Sequence, residues 1–411
     1  MIYGLIGEKL SHSFSKLIHE QIADYHYDLI ELNKDEFHNF MKEKSFKAIN
    51  VTIPYKKAVI PYLDEIDDDA KLIGAVNTIV NDNGKLKGYN SDYLGFQYTC
   101  DKYQIDMKDK KILIIGNGGA AAAIKVYVQK QKPKQMIIVK ANKSDETITY
   151  DELYQKHLDV DIMINTSPVG MYPNINESPL DLDKFDHVEA IIDIIYNPLL
   201  TKLTLQAKRK KIKYCNGLEM LIAQAKYAVE YFLNKSYSDD LIEQIYDDLM
   251  KQRKNIVFIG MPSCGKTTIS KMLSEQLKMP LYDIDEEIIK KCGCSIPEIF
   301  QTQQESGFRK IETQVTYELA KLNGVVISCG GGIIKNKINM DLLSLNGIIF
   351  FIDRSLDKLI YSDSNRPLSS SKEALQKLYD ERIDLYRYYS DYIIENNDTI
   401  ESCIKQIVNK L

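Results

Sequence analysis

Ile256-Val-Phe-Ile-Gly-Met-Pro-Ser-Cys-Gly-Lys-Thr-Thr268 decides the fold of the second half of the chain. Ile256–Ile259 is a short apolar run rich in β-branched residues, the composition of a buried strand. It enters Gly260-Met-Pro-Ser-Cys-Gly-Lys-Thr-Thr268, and a helical pattern follows. GxxxxGK[ST] between a strand and a helix is the signature of a phosphate-binding loop. Its glycines let backbone N–H groups face a polyphosphate at a helix N-terminus. Gly260, Ser263, Cys264, Gly265, Thr267 and Thr268 are therefore assigned to a nucleotide site. Lys266 is expected to reach the β- and γ-phosphates of the nucleotide, and Thr267 to ligate Mg2+.

Reading outward, the same strand–turn–helix grammar occurs earlier. Gly116-Asn-Gly-Gly-Ala120 follows the apolar run Lys111–Ile115. Gly116, Gly118, Gly119 and Ala120 suit a dinucleotide pyrophosphate lying on a helix N-terminus. The next strand ends 24 positions on at Lys140, with Lys143 close by. An NAD site usually carries Asp or Glu there, for the ribose 2′-hydroxyl. A basic residue suits a 2′-phosphate, which favours NADP(H) over NAD. Further strands are expected at Ile2–Ile6, Met136–Val139, Asp161–Asn165, Ala190–Ile194, Val325–Ser328 and Ile348–Ile352, and an amphipathic helix at Leu218–Leu233. Alternation of this kind predicts α/β architecture with parallel sheets.

The 411 residues suffice for two or three domains of roughly 100–200 residues. Apolar residues make up 44% and charged residues 27%, which excludes global disorder or a coiled-coil rod. The longest apolar runs fall far short of the roughly 18–20 residues of a membrane span. The opening MIYGLIGEKL reaches a charge at Glu8 and does not read as a secretory signal, so a cytoplasmic setting is expected. A net charge of −5 gives no electrostatic case for nucleic acid or an anionic membrane. Seven cysteines without a CxxC pair read as incidental thiols in a reducing compartment. Of 53 basic residues only seven are arginine, five of them after residue 300. Where Arg is retained in such a Lys-rich chain, its planar fork is the expected reason. The sequence leaves the oligomeric state open.

Motifs after the phosphate loop specify an acceptor. They are Leu281-Tyr-Asp-Ile-Asp285, Gly307-Phe-Arg-Lys-Ile-Glu312, Cys329-Gly-Gly-Gly332, Asn365-Arg-Pro-Leu368 and Arg382-Ile-Asp-Leu-Tyr-Arg387. The first puts two carboxylates two apart at a strand end, where both cannot face the same way. With these, residues 254–411 resemble shikimate kinase. The resemblance implies that Asp283 lies on the Mg2+ side and that Asp285 holds the shikimate hydroxyls. Arg309 and Arg387 would clamp the carboxylate, Gly331 and Gly332 would lie against the ring, and Arg366 would close on the phosphates. A carboxylate and a triphosphate both favour forked cations. Arg382 reads instead as a structural ion-pair residue. The family often has an adenine-stacking Arg between Ser355 and Asn365; here Lys358 or Tyr361 stands in that stretch.

The first half carries Ser11-His-Ser-Phe-Ser15, Asn50-Val-Thr-Ile-Pro-Tyr-Lys56, Gly74-Ala-Val-Asn-Thr78 and Gly88-Tyr-Asn-Ser-Asp92. Later come Asn165-Thr-Ser-Pro-Val-Gly-Met171, Asp193-Ile-Ile-Tyr-Asn-Pro198 and Asn216-Gly-Leu-Glu-Met-Leu-Ile-Ala-Gln224. Together these resemble shikimate dehydrogenase over residues 1–235. The resemblance implies that Ser13 and Ser15 grip the substrate carboxylate. Thr52, Asn77, Tyr196 and Gln224 would contact ring hydroxyls and carboxylate, Gly217 would belong to the cofactor site, and Lys56 and Asp92 would form the catalytic pair. His12, on the serine loop, is read as positional, and His19 has no role. Lys140-Ala-Asn-Lys-Ser144 stands where the family usually has Asn-Arg-Thr, and the segment from Val139 to Asp161 is short for a full strand–helix unit. The expected layout is a substrate-binding α/β domain at 1–100, a Rossmann-like dinucleotide domain with a returning helix at 101–235, a linker at 236–253 and a P-loop kinase domain at 254–411. The expected function is reduction of 3-dehydroshikimate with NADPH, then phosphorylation of shikimate with MgATP. The alternative joins a working kinase to a catalytically weak shikimate-binding module.

Overall fold

The computed structural model describes residues 2–10, 13–359 and 372–411, with the side chain of Lys372 left aside. Ser11, His12, Tyr361, Arg366 and the rest of the Asn365–Leu368 motif fall outside the described residues.

Three sheets organise the chain. The first contains β1 (Ile2–Gly7), β2 (Tyr27–Glu31), β3 (Phe46–Val51), β4 (Glu65–Ile66), β5 (Thr78–Asp82) and β6 (Lys85–Tyr89) in the order β2-β1-β3-β5-β6-β4. The second contains β7 (Lys111–Ile115), β8 (Gln135–Val139), β9 (Ile162–Asn165), β10 (Ala190–Asp193) and β11 (Lys213–Cys215) in the order β11-β10-β9-β7-β8. The third contains β12 (Asn255–Ile259), β13 (Leu281–Asp283), β14 (Val326–Ser328), β15 (Gly347–Asp353) and β16 (Tyr392–Glu395) in the order β13-β14-β12-β15-β16. The second and third sheets are wholly parallel. Their central strands, such as Ile256–Ile259 and Ile112–Ile115, are buried on both faces, which is why they read as unbroken apolar runs.

The first sheet departs from the parallel expectation. β5 pairs antiparallel with both β3 and β6. The β5–β6 hairpin turns at Asn83 (φ +53°) and Gly84 (φ +90°). Left-handed conformation at both central residues matches the twist of paired strands, and Asn-Gly supplies it at low cost.

The chain divides into two compact units. One comprises Met1–Met171, Glu177–Asn197 and Gln206–Asp248, and holds the first two sheets. The other comprises Tyr172–Asn176, Pro198–Leu205 and Leu249–Leu411, and holds the third. The stretch expected to be a linker is mostly helix, Asp240–Arg253. Among the described residues no helix is long and apolar enough to cross a membrane.

Candidate functional sites

In the first unit, Asp92 lies in the opening turn of the helix Ser91–Lys102. The cap residue Asn90 accepts a hydrogen bond from the Asp92 N–H (3.1 Å) and donates to the Ala75 carbonyl (2.9 Å). This fixes where the carboxylate emerges. Lys56 follows β3 in a loop whose backbone is held by Val76 N–H donating to the Lys56 carbonyl (2.8 Å). The Lys56 Nζ reaches Asp92 Oδ2 at 2.5 Å, and both side chains are more than four-fifths shielded from solvent. An ammonium so held can donate a proton while the carboxylate keeps it oriented.

The other predicted substrate residues fall into two groups. Ser13 and Ser15 are half-buried, and the Ser15 N–H donates to Ser13 Oγ (3.2 Å). Phe14, between them, packs edge-on against Tyr196 with ring centroids 5.4 Å apart. Asn77 and Gln224 meet through Ser91. Its N–H donates to Asn77 Oδ1 (2.8 Å), and its Oγ lies 3.4 Å from Gln224 Oε1. Thr52 is half-buried at the end of β3, its N–H bonded to the Ile6 carbonyl.

The turn Gly116–Ala120 links β7 to the helix Gly119–Lys130. Gly118 caps that helix with no side-chain hydrogen bond, so its first N–H groups have no competing side-chain acceptor. A cavity of about 900 Å³ is lined by Gly118, Gly119, Lys56 and Lys125, bringing the turn and Lys56 to one space. Exposed backbone at a helix N-terminus beside a cation fits a dinucleotide. The expected 2′-phosphate cations stand differently. Lys143 is paired with Glu152 at 2.5 Å, and neither it nor the exposed Lys140 lines the cavity, whereas Lys125 does. Gly217 is buried, and a Cβ on it would sit 1.9 Å from the Ile194 carbonyl oxygen. Only glycine permits that approach of helix to strand.

In the second unit, Gly260–Gly265 connects β12 to the helix Lys266–Leu277. Gly265 caps this helix, again without a side-chain hydrogen bond. Lys266 is buried, and its Nζ donates to the carbonyls of Gly260 and Met261, each at 2.9 Å. Asn396, from the end of β16, donates to the Cys264 carbonyl at 2.7 Å and so braces the loop. Thr267 and Thr268 are exposed at the helix start. Asp283 caps the next helix, Ile284–Cys292, by accepting the Asp285 N–H (3.0 Å). The two carboxylates are thus separated by a strand–helix junction and not by strand pleating. Among the described residues no cluster of three His, Cys, Asp or Glu could hold a metal. Mg2+ asks for less, since it binds one or two protein oxygens and takes the rest from water and phosphates. Thr267 and Asp283 fit that role.

Four side chains converge on Gly330–Gly332. A Cβ on Gly330 would lie 2.9 Å from Asp285 Oδ1, and one on Gly332 would lie 2.7 Å from Arg309 Nη2. Gly331 offers its carbonyl to Arg382 Nη1 (2.9 Å) and to the Tyr386 hydroxyl (2.6 Å). Arg309 is aimed by Glu312, whose two oxygens each accept from Nη1 at 3.0 Å. Glu312 is buried, and that burial pushes its carboxyl above the usual range despite the guanidinium.

Arg387 and Arg382 stand differently on their helix. Arg387 is exposed, whereas Arg382 is buried at Gly331. Five residues on a helix turn a side chain by roughly 140° relative to its starting face. Arg387 therefore faces away from the glycine loop, and its charge acts on Asp353. Arg382 and Tyr386, at i, i+4, share one buried face of the helix Lys372–Tyr389.

The folds and sites define a dinucleotide-dependent oxidoreductase unit and a P-loop phosphotransferase unit in one polypeptide. The family model described as shikimate dehydrogenase substrate binding domain matches residues 5–79, and that of shikimate kinase matches residues 262–411. A shikimate dehydrogenase (NADP(+)) of Clostridium beijerinckii is 40% identical over 261 residues, 59% of this chain and 96% of the relative. The crystal structure of a chorismate mutase/shikimate 5-dehydrogenase fusion protein from Clostridium acetobutylicum aligns with TM-score 0.57 at 35% identity, covering 60% of this chain and 96% of that one. Shikimate dehydrogenase 1 from Peptoclostridium difficile aligns with TM-score 0.56 at 34% identity, covering 60% and 97%. The chain belongs to the shikimate dehydrogenase family, and carries a shikimate kinase domain at its C-terminal end.

Proposed function

We propose that this is a bifunctional enzyme that reduces 3-dehydroshikimate to shikimate with NADPH and then phosphorylates shikimate with MgATP. The observation that carries the reading is the succession, in one chain, of two family matches that share a small molecule. Shikimate is the product of the first and the acceptor of the second. Bound NADPH supplies the hydride. Lys56 protonates the oxygen that becomes the new hydroxyl, and Asp92 keeps the ammonium in place. Ser13 and Ser15 hold the carboxylate; Thr52, Asn77, Tyr196 and Gln224 read the remaining oxygens. Gly116, Gly118, Gly119 and Ala120 receive the pyrophosphate, with Lys125 beside them as a cation for the cofactor.

Bound MgATP supplies the phosphoryl group. Lys266, held on the loop carbonyls here, would turn to the phosphates, and Thr267 and Asp283 would hold the cation. Asp285 accepts the hydroxyl proton, and Arg309 and Arg382 hold the carboxylate beside Gly331 and Gly332. The Lys56–Asp92 geometry supports a working dehydrogenase over a catalytically weak binding module. We read the enzyme as cytoplasmic. The test incubates the protein with 3-dehydroshikimate and NADPH, then with shikimate and MgATP, and identifies the products. NADPH oxidation without shikimate formation, or ATP consumption without a phosphorylated acid, would refute the corresponding half.

A further inference from the structure

Beneath Asn77 runs a directed chain of hydrogen bonds that starts in β2 and has no part in the roles assigned above. The Tyr27 hydroxyl donates to Asn50 Oδ1 at 2.7 Å. That makes Asn50 Nδ2 a donor on the other side, and it reaches Thr78 Oγ1 and the Asn77 carbonyl, each at 3.1 Å. Having accepted there, Thr78 Oγ1 turns its single proton to Asn77 Oδ1 at 2.9 Å. The Ser91 N–H, which can only donate, ends on the same Oδ1 at 2.8 Å, with Ser91 Oγ at 3.3 Å. Ser91 Oγ and Thr78 Oγ1 also lie within 3.2 Å of each other. Tyr27, Asn50, Asn77, Thr78 and Ser91 are all buried. The Asn77 backbone is pinned as well: its N–H donates to the Tyr89 carbonyl (3.1 Å) and its carbonyl accepts from the Val51 N–H (2.8 Å).

The consequence is an amide with one allowed orientation. Oδ1 of Asn77 is saturated by donors, so Nδ2, which has no hydrogen-bond partner among the described residues, is the end left for a ligand. We propose that Thr78 is a positioning residue for the dehydrogenase reaction. It acts through Asn77, holding that amide with its N–H2 end presented to a hydroxyl oxygen of the substrate. The inference rests on the reading that Asn77 contacts the substrate. Without the Thr78 hydroxyl only the Ser91 contacts hold Oδ1, so the donor end is less firmly aimed, which weakens substrate and transition state alike.

The test is a cycle of Thr78→Val, Thr78→Ser, Asn77→Ala and Asn77→Ala/Thr78→Val in the full chain. Each variant is assayed in steady state for kcat and for the Michaelis constants of both substrates, the keto acid and NADPH. Thr78→Val keeps the side-chain shape and removes the hydroxyl. It is expected to raise KM for 3-dehydroshikimate ~10-fold, the scale of one lost hydrogen bond, with KM for NADPH unchanged. Thr78→Ser should restore the constant to within ~2-fold. In the Asn77→Ala background Thr78→Val should add nothing, because its effect passes through the missing amide. An unchanged KM in Thr78→Val, or its full factor persisting without Asn77, overturns the role of Thr78 and leaves the substrate reading intact. An unchanged KM in Asn77→Ala overturns the substrate reading itself, and the inference with it. Should Thr78→Val fold poorly, Tyr27→Phe is assayed in its place. It removes only the first oxygen of the chain, and a ~2–3-fold rise that vanishes in the Asn77→Ala background is expected; no rise counts against the proposal.

Discussion

Lys56 taken alone is an ordinary lysine; its motif marks it out in the sequence, and its 2.5 Å contact with Asp92 is what equips it for the proposed proton transfer. Replacing Lys56 by Met keeps most of the stem's packing and removes the proton donor. The loss of kcat in NADPH oxidation is expected at about 10²–10⁴-fold, the usual worth of a positioned acid. A drop of less than tenfold would mean that another group protonates the product. On the kinase side, Arg382 and Arg387 offer a paired comparison. Arg382→Ala removes a buried guanidinium beside Gly331. KM for shikimate should rise by ~100-fold, as expected when a fork on a carboxylate is lost. Arg387→Ala, at an exposed position, should stay within ~2-fold. The reverse ranking in an ATP-consumption assay would restore Arg387 to the carboxylate clamp.

The helix Gly217–Leu233 begins where one missing atom makes the fold possible. With a Cβ on Gly217 1.9 Å from a backbone oxygen of Ile194, neither partner can yield cheaply. Gly217→Ala should cost roughly 1–3 kcal/mol, the range for forced overpacking. It would be read as a lowered urea midpoint with unchanged slope; a midpoint equal to that of the parent protein would show that helix and strand can separate freely. The same helix is legible from its amphipathic spacing, as β7, β9, β10, β12 and β15 are from apolar runs. Those strands are buried on both faces, so composition alone marks them. The first sheet is less legible. β5 and β6 are short and carry Asn81, Asp82, Lys85 and Lys87, so no apolar run announces them. Their signal is Asn83-Gly84, a hairpin turn lying within a chain otherwise dominated by parallel grammar. Asp283 and Asp285 read as strand residues in the sequence because the helix that separates them starts at Ile284, one residue after the strand ends. The resemblance implies Arg387 for the carboxylate clamp, whereas the helix buries Arg382 against Gly331, a difference of facing that a motif does not display.

The chain distributes its ionisable chemistry unevenly, and this gives its two activities different responses to acid. All six histidines lie at or before residue 187, while five of the seven arginines lie after residue 300. Among those histidines His19 is fully buried, stacked on Tyr27 with centroids 4.0 Å apart, and its Nδ1 lies 2.7 Å from the Tyr25 hydroxyl. Burial holds its pKa down to about 3, against an ordinary 6.5. Above pH 6.5 the ring is neutral folded or unfolded, and its contribution to stability is fully present. As the pH falls below that value the unfolded chain takes up a proton that the folded chain refuses. Stability is then lost at up to about 1.4 kcal/mol per pH unit until the folded pKa is reached. In the kinase unit the shifts of the shielded Glu312 and Asp353 have the opposite sign, since burial raises both carboxyls, whereas hydrogen bonds from Ser295 and Lys335 hold the exposed Glu298 and Glu381 below the ordinary range. A folded carboxyl that protonates before its unfolded counterpart adds stability as the pH falls. The dehydrogenase activity should therefore be the more acid-sensitive of the two. Between about pH 7 and pH 5, the interval that spans the unfolded histidine pKa, its thermal inactivation midpoint is expected to fall further than that of kinase activity measured on the same samples. His19→Phe, which keeps an aromatic ring against Tyr27 and cannot take a proton, should remove most of that difference. Parallel declines in the parent protein, or an unaltered difference in His19→Phe, would place the acid sensitivity in carboxylates that a lysine partner holds below their ordinary range, such as Glu65 beside Lys85 and Asp159 beside Lys111.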